Sequence, residues 1–186
     1  MTAATYEREN PWEITTRTIV YAAIGAALYA VTAQFQVPLP GTANVSLRPG
    51  FALVPFFGFI GGPIVGLFVG LVGNAIADQI SGWGLLTSWN WSLANGLAGF
   101  ITGLAGYWLA GGIENRILRS AVAAVIGIVI GFLFVLTDLW LGTAENIGVA
   151  MADNYIPVVI GNLVVSIILV PILVAAFEPV RESIGR

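Results

Sequence analysis

Long uninterrupted apolar stretches dominate this sequence and set its solvent before any motif is considered. From Leu47 to Ile80 the only charged residues are Arg48 and Asp78, and the run is too long for one crossing of a bilayer. A membrane-spanning helix needs about 20 apolar residues to cover the hydrocarbon layer. Comparable runs fall at about 16–35, 86–110, 120–141 and 155–177, each bounded by Gly, Pro, Asn or charged residues. With 58% hydrophobic and 9% charged residues, and a mean hydropathy of +0.90, the chain is built for lipid. The expected fold class is an all-α integral membrane protein forming a single membrane domain over 1–186.

The number of spans turns on Gly61-Gly62-Pro63, where a tight turn can divide the long run into helices at 49–61 and 63–80. Divided, the chain has six spans; undivided, five. Arginine placement chooses between them, because cytoplasmic loops carry the excess of positive residues. Six spans place Arg8, Arg17, Arg116, Arg119, Arg181 and Arg186 on the side of both termini and leave Arg48 opposite. Five would divide them two against five. A six-helix bundle with both termini in the cytoplasm is therefore expected, residues 1–14 forming a cytoplasmic N-terminal segment. That segment is polar, with Glu7, Arg8 and Glu9, and shows no apolar core with a cleavage site, so the first hydrophobic run is expected to remain as a helix. The second helix is short and contains Pro55, which implies tilting, kinking or shielding by its neighbours.

What the sequence lacks narrows the function. There is no Cys and no His, which removes disulfides, thiolates, imidazole bases and the usual zinc, copper and haem ligands. No catalytic residue, metal ligand or cofactor is expected. Lysine is also absent, and no basic run could follow a phosphate backbone. Glu114, Glu178 and Glu182 are scattered over the inner side without an Asp-rich cluster, which argues against an intramembrane lipid enzyme.

Polar chemistry gathers at the other face. Asp78, Asp138, Glu145 and Asp153 fall at the outer ends of helices, as do Trp83, Trp89, Trp91 and Trp140, with Asn74, Asn90, Asn95 and Asn162 in the outer half. Tryptophans at that depth also form interfacial belts. Flat aromatic surface beside amides and a few charges nevertheless suits a planar small molecule rich in heteroatoms. Asn74 and Asp78 are four residues apart and share a helix face, as do Trp91 and Asn95. A polar face in lipid turns inward, because an amide or carboxylate among acyl chains is costly. Substrate-binding candidates are thus Trp91, Asn95, Asp138 and Asn162, with Asn74 and Asp78. Asn95 and Asn162 serve equally well as helix-helix hydrogen bonders, and the two Asp residues as solvated helix ends.

Small residues repeat at fours: Gly62, Gly66 and Gly70 in the third span, Gly127 and Gly131 in the fifth, and Ala22, Ala26 and Ala30 beside Ala23 and Ala27 in the first. The glycines read as packing seams. The alanine stripe packs within the bundle or offers a docking face, and spacing alone does not choose.

The run Leu47-Arg48-Pro49-Gly50-Phe51 through Gly66, followed by Gly70-Leu71-Val72-Gly73-Asn74-Ala75-Ile76-Ala77-Asp78, is similar to the phrase GPxxGxxVGxxGxxxxD of riboflavin-type substrate-binding S components of energy-coupling factor (ECF) transporters. The resemblance extends over nearly the whole chain. It implies that the protein binds a vitamin or precursor from the outer face of the cell membrane, and docks on a transmembrane T component served by paired ATPases. Carried onto these residues, it makes Ala22, Ala23, Ala26 and Ala27 the docking stripe and the loop from Gln36 to Ser46, with Asn44 and Arg48, a lid. No Gly-Lys-Ser or Gly-Lys-Thr loop is present, so ATP would be handled by partners. A single outward arginine argues against a polyanionic ligand. A stand-alone small-molecule carrier and a membrane scaffold are the competing readings.

Overall fold

A computed structural model describes residues 10–42 and 45–183. Among these residues the chain forms six helical segments: α1 (Thr16–Thr32), α2 (Pro49–Gly61), α3 (Pro63–Ile80), α4 (Trp89–Gly111), α5 (Arg116–Leu141) and α6 (Ile147–Ser183). The last four are long and apolar enough to cross a membrane, whereas α1 and α2 fall below that length. Arg8 and Arg186, used above to choose the orientation, lie outside the described residues.

The local chemistry accounts for the breaks. A capping box opens α1, with the Thr15 hydroxyl accepting from the Thr18 N–H at 3.3 Å and Thr18 Oγ1 accepting from the Thr15 N–H at 3.1 Å. Between α2 and α3 the chain turns at Gly62, whose φ of +92° and ψ of 175° suit glycine alone, and Pro63 starts the next helix where no amide donor is needed. Gly62 is thus a turn, and its backbone also packs on α4, where a Cβ on Gly103 would come within 2.7 Å of the Gly62 carbonyl carbon. Asn115 caps α5 by accepting from the Leu118 N–H at 3.0 Å.

Two helices are irregular near the end of the bundle that carries Asp78 and Asp138. The α-helix of α5 tightens to 3₁₀ geometry over Phe132–Thr137, and α6 widens into a π-helical turn over Ala150–Tyr155. Each change alters the phase of the side chains beyond it. The proline-rich loop after α1 is ordered in part as a two-residue antiparallel ladder, β1 (Val37–Pro38) with β2 (Ser46–Leu47), pairing Val37 with Leu47 and Pro38 with Ser46. That ladder was not expected of an all-α chain; the prolines exclude helix but permit a short edge pair.

Packing centres on α4, which lies against α2, α3 and α5. A Cβ on Gly66 would collide with the Gly99 carbonyl and come within 2.8 Å of Gly58 Cα, and one on Gly70 would collide with the Asn95 carbonyl. Gly131 meets the Ala98 backbone in the same way. Helices whose association gains little from water exclusion rely on such close backbone contact. Around these seams Phe51, Val54, Val65, Val69, Ile128 and Phe132 are fully buried. The outer surfaces stay apolar: Ile160, Val164, Ile168 and Ile172 on α6 are all more than half exposed. At the other end of the bundle Glu178 bridges Arg116 at 3.2 Å and Arg181 at 3.4 Å.

Replacing Gly66 with Val should separate α3 from α4 and lower the stability of detergent-solubilised protein by ~1–3 kcal/mol or more. Thermal unfolding checks this, and a melting temperature equal to that of the unaltered protein would contradict the backbone contact.

Candidate functional site

All six residues expected to bind substrate line one cavity of about 460 Å³. It lies where the C-terminal half of α3, the N-terminal half of α4, the C-terminal part of α5 and the N-terminal part of α6 converge, with the first turn of α2 as its wall. Asn74, Asp78, Asn95, Asp138 and Asn162 are each less than a tenth exposed. The two Asp residues are therefore buried, not solvated, helix ends.

The polar groups form two clusters. In the first, Asn74 Nδ2 donates to Asp78 Oδ2 at 2.9 Å and to Ser92 Oγ at 3.1 Å, while Arg48 reaches Asp78 at 3.8 Å and donates to Asn74 Oδ1 at 3.3 Å. Tyr29, from the last turn of α1, brings its hydroxyl to 3.2 Å from Asn74 Oδ1 and 3.0 Å from Asn95 Oδ1. A buried carboxylate is tolerable here because a guanidinium and an amide face it. Arg48 also donates from Nε to Gln36 Oε1 at 3.0 Å, which ties the start of the β1 arm to the cavity wall. Asn44, expected beside Arg48 in the lid, lies outside the described residues.

The second cluster surrounds Asp138. Its Oδ1 accepts from Asn90 Nδ2 at 2.7 Å, and its Oδ2 accepts from Trp91 Nε1 at 3.0 Å and Asn154 Nδ2 at 2.9 Å. Three N–H donors stabilise the charge from three directions and fix the indole of Trp91 at the cavity edge. Asn162 is different. It is 6% exposed, lines the cavity, and makes no hydrogen bond among the described residues. Its amide is therefore open to a ligand or water in the cavity.

Several lining residues were not predicted. Tyr29 read as part of an apolar span. Asn90 stood out as an outer-half amide, yet nothing in the spacing paired it with Asp138. Asn154 fell before the expected start of the last helix at 155; the structure starts that helix at Ile147, and the π turn aligns Asn154, Val158 and Asn162 on the cavity side. Phe51 and Phe132, whose rings lie 5.6 Å apart, supply aromatic surface that was assigned to Trp residues alone. Trp83 and Trp89 line the cavity with Trp91, whereas Trp140 is 88% exposed and does not.

The alanine stripe divides. Ala22 and Ala26 are buried, and the Ala26 carbonyl lies where a Cβ on Gly73 would come within 3.0 Å, so these two belong to the α1–α3 seam. Ala23 and Ala27 face outward with Ile24 and Leu28. Of the expected docking stripe, Ala22 and Ala26 are thus covered within the bundle, while Ala23 and Ala27 remain exposed.

No group of three or more acidic residues poised for a metal occurs among the described residues. The fold is thus a multi-helix membrane protein with a recessed cavity of amides and aromatic rings at one end. The family model for the ECF-type riboflavin transporter, S component, matches residues 13–179, and the chain belongs to that family. It is also similar to a UPF0397 protein of Streptococcus pneumoniae (strain CGSP14), 40% identical over 92 residues that cover 50% of this chain and 49% of the relative. The chain thus spans about half the length of this curated relative in the match. No solved structure matches it.

Substituting Asp138 with Ala strands the donors of Asn90, Trp91 and Asn154 and should cost at least ~2 kcal/mol of stability. Trp91 emission should shift at the same time, because its N–H loses a charged acceptor. Unfolding curves and emission spectra of the variant test both effects.

Proposed function

We propose that the chain is the substrate-binding subunit of an ECF-type importer, taking a vitamin or related heterocyclic micronutrient from the outer face of the cell membrane. The observation that carries the reading is the single recessed cavity in which Asn74, Asp78, Trp91, Asn95, Asp138 and Asn162 meet. Its volume lies within the ~300–1,000 Å³ typical of small-molecule sites. Its charges are already answered within the protein: Arg48 faces Asp78, and Asp138 is held by three N–H donors. Such a cavity favours a neutral, flat ligand over a polyanion. Phe51, Phe132 and Trp91 would supply the apolar and stacking surface, and Asn162 and Asn95 the orientation. The family description names riboflavin, which makes it the first ligand to test.

In this reading all six helices cross the bilayer with both termini cytoplasmic, the shorter α1 and α2 being partly shielded by their neighbours. The outward alanines Ala23 and Ala27 form the contact with a transmembrane T component, and paired ATPase subunits supply the energy. Nothing in the chain's own side chains performs chemistry on the substrate.

Titration of detergent-purified protein with riboflavin and a panel of other vitamins, followed by tryptophan fluorescence, should give a saturable response to one compound. No response from folded protein would overturn the reading. Asn162→Ala should weaken that binding by ~1–3 kcal/mol, roughly 5- to 150-fold, because the amide has no competing protein partner. Ala27→Trp should leave the titration unchanged and abolish uptake in cells carrying the partner subunits. Retained uptake would remove Ala27 from the docking face.

A further inference from the structure

Two amide oxygens compete for one proton at the wall of the cavity. The orientations of both amides are fixed independently. Asn95 donates from Nδ2 to the Trp91 carbonyl at 2.8 Å, which leaves its Oδ1 facing Tyr29. Asn74 donates from Nδ2 to the Asp78 carboxylate and to Ser92, which turns its Oδ1 toward Tyr29 and Arg48. The Tyr29 hydroxyl lies within hydrogen-bond distance of both oxygens but has a single hydrogen to give. The tyrosine itself cannot move aside: it is 1% exposed, its ring lies against Phe51 at 6.4 Å, and a Cβ on Gly73 would come within 2.9 Å of it.

Arg48 breaks the tie. While its Nη1 donates to Asn74 Oδ1, that oxygen is satisfied, and the Tyr29 proton goes to Asn95 over the shorter distance of 3.0 Å. If Arg48 withdraws, the buried Asn74 oxygen loses its charged donor, and rotation of the Tyr29 hydroxyl replaces it. Asn95 Oδ1 is then without a donor and faces the cavity as an acceptor. We propose that Tyr29 is a positioning residue, and that Arg48 decides through it whether Asn95 offers its carbonyl to a bound molecule. Because Arg48 is held by Gln36 at 3.0 Å, the arm between α1 and β1 is linked to the state of the site. The inference rests on the substrate-binding reading above for its consequence, but its hydrogen-bond logic does not.

A double-mutant cycle over Tyr29→Phe and Arg48→Met tests it, because Tyr29→Phe keeps the buried ring and removes only the hydroxyl, and Arg48→Met keeps the side-chain length and removes every donor. With riboflavin as the probe, the ratio of the Kd of unaltered protein to that of Arg48→Met should be roughly five-fold larger with Tyr at 29 than with Phe, about one hydrogen bond's worth. A purely packing role for Tyr29 predicts the same ratio in both backgrounds, and that result would overturn the proposal. Melting temperatures of the four ligand-free proteins give a second readout. In either single variant the bare oxygen is that of Asn95, which the cavity can hydrate, whereas the double variant also bares the more deeply buried Asn74 oxygen, so it should fall by more than the sum of the single ones. Additive losses would sink the switch. Failure of unaltered protein to bind riboflavin would count against the functional reading instead, and the melting cycle would then decide the proposal alone.

Discussion

The close approach of α3 to α4 is the contact on which the rest of the molecule depends. Gly58, Gly66 and Gly99 leave no room for a side chain between three backbones, and Gly70 repeats the contact one turn further at Asn95. In a bundle that faces lipid, helix association gains little from excluding water, so shape at the backbone carries the pairing. The C-terminal half of α3 supplies Asn74 and Asp78 from one side, and the N-terminal half of α4 supplies Trp91 and Asn95 from the other. Their separation, and with it the width of the cavity, follows from glycines that never touch it.

Polar groups in such a bundle must find partners within the protein, and the cavity shows how far that is carried. Asp138 gathers one donor from the backbone-distant amide of Asn90, one from an indole and one from Asn154. Asp78 is held between an amide and a guanidinium. Each cluster joins helices distant in sequence, so each fixes the cavity walls as well as neutralising a charge. Against that background the amide of Asn162 stands apart: it lines the cavity and makes no hydrogen bond among the described residues.

Irregular helix geometry does the rest of the aiming. The 3₁₀ stretch of α5 places Phe132 and Asp138 on the cavity, and the π turn of α6 brings Asn154 into line with Asn162. Uniform α-helices would have carried some of these side chains toward lipid, where an amide or carboxylate is costly.

The amino-acid sequence by itself determined the solvent, the helical class, the break at Gly62 and the concentration of amides, carboxylates and indoles at one end, because hydropathy, proline and glycine act locally. It also paired Asn74 with Asp78 and Trp91 with Asn95, since a four-residue spacing shares a helix face whatever the surroundings. Tertiary structure alone decided that Tyr29, Asn90 and Asn154 join the site, that Ala22 and Ala26 turn inward while Ala23 and Ala27 do not, and that Asn162 is left without a partner. Those outcomes depend on helix rotation and on the phase shifts within α5 and α6. Both are set by contacts between residues far apart in the chain, which no local pattern encodes.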